Sequence, residues 1–170
     1  MTRNSFPLPL LPSFISLSLL ASSCVDVESV ESPVPVYNVS YSCNISTINA
    51  AMGQTDIPNL DAQPGMVLVN QYTALSDNIG VCGLLLYHAA IDNVFYAYDL
   101  ACPYCFKQGK PVAIGLKDCF TAQCGNCLSE FGAIQYGSPA PTAGPANADN
   151  LHLRQYQAHL TGYDILTVTR

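Results

Sequence analysis

Basic residues are scarce in this chain: six lysines and arginines are spread over 170 residues, against twelve aspartates and glutamates. No basic stripe is present to neutralise a run of phosphates, which excludes nucleic acid as a natural partner. Histidine is scarcer still, and the three present, His88, His152 and His159, stand apart from the paired cysteines. No nucleophile, general acid or general base constellation assembles, so hydrolase and transferase chemistry has no residues to carry it. Long amphipathic helical stripes are also missing. What remains, at 49% hydrophobic and 11% charged residues, is enough chain for one well-packed domain and not for two.

The first residues read as an export signal. Arg3 is a minimal positive region, Phe6 to Leu20 is apolar but broken by Pro7, Pro9 and Pro12, and Ala21, Ser22, Ser23 and Cys24 close the run. An apolar stretch this short, ending in small residues, is a leader and not a membrane span. Its stop at Cys24 resembles the lipobox of bacterial lipoproteins, with Ala21 where leucine is usual. That resemblance implies removal of 1–23, lipidation of Cys24 and a membrane anchor at the cell envelope, as an outer-membrane lipoprotein facing the periplasm or the cell surface. Residues 24–35, with Asp26, Glu28 and Glu31 among serine, valine and proline, have the composition of a flexible tether.

From residue 36 on, short runs rich in Val, Ile, Leu and Tyr alternate with turn residues: 34–43, 66–72, 82–88, 94–99, 112–116, 131–136, 151–160 and 163–169. This is the strand signal, and Asp92-Asn93 and Thr161-Gly162 supply hairpin turns. The expected fold is all-β and mostly antiparallel. Residues 51–64 have no clear period, and 137–150 (GSPAPTAGPANADN) form a loop too long for a simple hairpin.

The chemistry is concentrated in two CxxC motifs, Cys102-Pro103-Tyr104-Cys105 and Cys124-Gly125-Asn126-Cys127, with 18 residues between them. Two short loops bearing four thiols can offer one tetrahedral sulfur set, as zinc and iron centres require. Zinc knuckles usually carry glycine after each second cysteine, where this chain has Phe106 and Leu128.

The order Cys102-Pro103-Tyr104, then Cys124-x-x-Cys127-x-Ser129-x-Phe131, then Gly144-Pro145-Ala146 and a closing hairpin resembles the Rieske iron–sulfur domain. The likeness covers about residues 80–170 and extends to the Rieske-related lipoproteins of Bacteroides-type bacteria. It implies an antiparallel β sandwich or barrel over 36–170, with a small rubredoxin-like cluster-loop subdomain at about 100–146. Rieske centres use two histidines, but here Tyr104 and Cys127 stand in their places. The implied ligands are therefore Cys102, Cys105, Cys124 and Cys127, holding a [2Fe–2S] cluster or a single metal for one-electron transfer to an envelope protein. Tyr104 and Ser129 would lie just outside the ligands, where the family's serine donates a hydrogen bond to a cluster sulfur.

Two other readings stay open. In an oxidising compartment the mature thiols besides Cys24, including Cys43, Cys82 and Cys119, could pair as disulfides. The scaffold would then be a surface binding module with no cluster, its loops held by sulfur or structural zinc. Alternatively, Cys102-Pro103-Tyr104-Cys105 matches the glutaredoxin active-site motif. Thiol–disulfide exchange would need Cys102 at a helix N-terminus that lowers its pKa, and the Gly109 to Pro111 segment ends any helix there within two turns.

Overall fold

The computed structural model describes residues 32–48, 59–70 and 78–170. The expected leader 1–23, the lipidation site Cys24, tether residues 24–31 and most of the stretch 51–64 lie outside the described residues.

The expectation of an all-β protein holds. Six strands form one antiparallel sheet that curls into a half-barrel: β1 (Ser40–Asn44), β2 (Gly65–Val69), β3 (Leu84–His88), β4 (Phe95–Asp99), β8 (Gln155–Thr161) and β9 (Ile165–Thr169). Their order across the sheet is β1-β9-β8-β4-β3-β2. A second sheet, much smaller, contains β5 (Ile114–Leu116), β6 (Ala122–Cys124) and β7 (Glu130–Phe131) in that order. Among the described residues, no helix is long and apolar enough to cross a membrane.

Strand β3 explains how the two sheets join. Its Leu84, Leu85, Leu86, Tyr87 and His88 are all buried, so it cannot show the in-out alternation of a one-sided strand. Leu84 and Leu86 face the hollow of the half-barrel with Val67, Val69, Ala97, Leu166 and Val168. Leu85 and Tyr87 face the other way, packing with Met66 and Tyr98 against Ile114, Ala122, Phe131 and Ile134 of the small-sheet region. Strand β8 has no such cover, and its Gln155, Gln157 and His159 are exposed in alternation with Tyr156 and Ala158.

The apolar runs overshoot the strands at several ends. Residues 34–39 and 151–154 lie outside the strands, and the run 131–136 is split between β7 and a 3-10 turn at Ala133–Tyr136. The loop 137–150 contains a short helix, α2 (Gly144–Ala148), opened by Pro145, whose fixed φ suits a first turn. Residues 32–35, the end of the expected tether, are held on the body. Arg154 donates from Nε to the Val34 carbonyl (2.7 Å) and from its guanidinium to the Ser32 carbonyl (2.8 Å).

Asp99, at the end of β4, fastens the turn before β3 to the start of the first thiol loop. Its wholly buried carboxylate accepts N–H bonds from Val81 (2.8 Å), Cys82 (3.3 Å) and Ala101 (2.8 Å), and the Tyr156 hydroxyl at 3.0 Å. Four donors satisfy a charge that would otherwise be costly to bury. Gly80 is obligatory in that turn: its φ is +83°, and a Cβ there would collide with the Asp99 carboxylate.

Candidate metal centre

The first thiol loop leaves β4 through Leu100 and Ala101 and closes into a single helical turn, α1 (Pro103–Lys107). Cys102 caps it, with its own N–H bonded to Val112 O (2.8 Å) and its carbonyl accepting from Phe106 N (2.9 Å). Gly109, with φ +73°, ends the helix, as the breaker residues of the sequence require. The second loop is a tight turn at the end of β6. Leu128 N donates to Cys124 O and Cys124 N donates to Ser129 O, both at 2.9 Å. Leu128 adopts φ +59°, the left-handed conformation in which a knuckle uses glycine, and is 63% exposed.

These loops bring Cys102, Cys105, Cys124 and Cys127 together, with all four Sγ atoms within 4.8 Å of one another. Cys102 Sγ is 3.6 Å from Cys127 Sγ, and Cys105 Sγ is 3.7 Å from Cys124 Sγ. Cys102, Cys105 and Cys124 are buried, while Cys127 is half-buried at the rim. The donor set is all sulfur and closed on itself, which fits a four-coordinate thiophilic metal. It leaves no position for a metal-bound substrate.

Ser129 is wholly buried beside Cys127. Its Oγ accepts the Ala146 N–H at 3.0 Å and the Cys127 S–H at 3.1 Å, and the hydroxyl proton is free to turn to the sulfur when Cys127 is a thiolate. Gly144 makes this approach possible: its φ is +77°, and a Cβ there would stand 2.7 Å from Ser129 Cα. Burial disfavours the Cys127 thiolate, but the Ser129 hydroxyl and N–H outweigh it and hold this thiol down at about 7. Burial pushes Cys102 well above the usual thiol range and also raises Cys105. Tyr104 lies on α1, half-buried against the apolar core.

The residues outside the site are equally informative. His88 is buried and stands outside the thiol cluster; its Nδ1 faces Leu60 O (2.8 Å), its Nε2 faces Asn93 Oδ1 (2.8 Å), and its ring stacks on Phe95.

 That histidine is a clamp inside the half-barrel, and none of the three histidines joins the thiol cluster. Cys43 on β1, Cys82 before β3 and Cys119 between β5 and β6 are also outside it, and all seven described cysteines are free thiols. The glutaredoxin-like reading gains its helix N-terminus at Cys102, but loses the exposed, easily ionised thiol that exchange requires. One partner is not legible in the motifs: Asn126 Nδ2 donates to Cys105 Sγ across the two loops at 3.3 Å. Its only signal in the sequence is a side-chain amide at a variable position of the second CxxC.

No protein-family model, curated protein or solved structure matches this chain. The tetra-cysteine cluster, compatible with metal binding, is therefore the observation on which a function rests.

Proposed function

We propose that this protein is an exported, Rieske-like metal protein of the bacterial envelope, anchored through Cys24, that binds one metal ion through Cys102, Cys105, Cys124 and Cys127. The mutual distance of the four sulfurs carries this reading. Metal–sulfur bonds of about 2.3 Å in a tetrahedron give sulfur–sulfur edges of about 3.8 Å, close to the 3.6 and 3.7 Å of the two cross-loop pairs. A two-iron cluster divides its four ligands between two irons and spreads the pairs apart, so the compact set favours a single ion. Iron held by four thiolates supplies one-electron transfer, with the half-buried Cys127 and the exposed Leu128 marking the rim that faces a redox partner.

Structural zinc is the second reading, and the small sheet favours it. Strands of two and three residues are too short to be stable alone, and a metal tying α1 to the β6–β7 turn would hold them in place.

Anaerobic purification, metal and acid-labile sulfide analysis, and electron paramagnetic resonance before and after reduction separate these outcomes. One iron per chain without sulfide supports the electron carrier. Zinc supports the structural site, two irons with sulfide would restore the cluster, and a metal-free protein with paired thiols would sink the proposal.

A further inference from the structure

We propose that Asn126 is a positioning residue for the thiolate set, supplying from the second loop the hydrogen bond that the first loop cannot give to Cys105. This inference rests on the metal reading above. Four thiolates around a divalent ion leave about two negative charges in a largely buried site, and donors to sulfur must offset them.

The two loops meet that need differently. In the second loop, left-handed Leu128 turns the chain so that the Ser129 N–H and hydroxyl both serve Cys127. In the first loop, the Cys105 N–H serves Cys102. The amides after Cys105 are taken up by the helical turn: Phe106 N bonds Cys102 O, Gln108 N bonds Tyr104 O and Cys105 O, and Gly109 N bonds Phe106 O. Phe106 stands where a knuckle would have glycine, inside α1, and cannot turn its neighbours' N–H groups toward sulfur. Cys105 therefore takes its donor from across the site, at Asn126 Nδ2. Asn126 is exposed, so the side chain is not needed to fill the core.

The test is cobalt(II) binding by the full mature chain, measured by chelator competition and by the thiolate-to-cobalt charge-transfer band. Asn126→Asp keeps the shape but replaces the donor with a carboxylate, and Asn126→Ala removes it. Both are expected to weaken cobalt binding roughly 10- to 100-fold and to shift the band to lower energy, with an unchanged far-ultraviolet circular dichroism spectrum. Gln108→Ala, on the exposed end of the first loop, should match the parent protein. Affinities within twofold of the parent and an unmoved band would overturn the role of Asn126 while leaving the metal reading intact. Failure of the parent protein itself to bind cobalt would overturn both.

Discussion

The half-barrel and the small sheet are built on different principles. The first has strands of five to seven residues around a core of Val67, Val69, Leu84, Leu86, Leu166 and Val168, and apolar burial is enough to hold it. The second has strands of two and three residues, and four thiols stand where further aliphatic side chains would otherwise pack. A region too small to hold itself by burial alone is the region that carries the four-thiol cluster. If the cluster is loaded with metal as proposed, stability and chemistry there depend on the same four residues.

The largest expected effect comes from breaking the ligand set. Cys124→Ser should abolish stoichiometric metal binding and remove hydrogen-exchange protection from 114–131, while 84–99 keeps its protection. Loss of protection in both regions together would show that the half-barrel is not independent.

Truncation in the half-barrel should act in the opposite sense. Leu86→Ala removes a wholly buried side chain and should cost about 2–5 kcal/mol in chemical denaturation, with the metal stoichiometry of the folded fraction unchanged. A change in stoichiometry would join the two regions more tightly than the contacts suggest.

Alkali provides a third contrast. Burial raises Tyr41 to about 12, and burial, partly offset by the bond to Tyr41, raises Cys43 to about 11; both lie on β1, away from the thiol cluster. The unfolded chain releases these protons first, so their contribution is fully present below about pH 9 and is lost as the pH rises through about 11 for Cys43 and about 12 for Tyr41. Thermal melts should fall over that window, and the fall should be smaller in Cys43→Ala with Tyr41→Phe. An equal fall in that double variant would place the alkaline sensitivity elsewhere.

The smallest effect belongs to Leu128. Its left-handed backbone costs a leucine about 1–2 kcal/mol relative to glycine, part of which glycine returns through its freer unfolded chain. Leu128→Gly should therefore stabilise the protein by up to about 1 kcal/mol without changing metal content. A loss of stability would mean that the leucine side chain makes a contact worth more than the strain.

The four clustered cysteines were legible because CxxC spacing is local: three residues of separation determine which thiols can meet on one turn. Ser129 was legible by its place in the second motif, and the all-β class by the Val, Ile, Leu and Tyr runs. Strand ends were less so, since the run 151–160 starts four residues before the strand itself begins at Gln155. Asp99 and Asn126 were not legible at all as site-shaping residues. Apart from the neighbouring Ala101, the partners of Asp99 lie 17 to 57 residues away and that of Asn126 lies 21 away, distances over which only the folded chain defines a neighbour.

X-ray absorption at the metal edge of the purified, loaded protein tests the central claim most directly. The account predicts four sulfur neighbours at about 2.3 Å and no second metal scatterer, a pattern lost in Cys124→Ser. Nitrogen or oxygen in the first coordination sphere, or a metal–metal vector, would contradict a single ion held by Cys102, Cys105, Cys124 and Cys127.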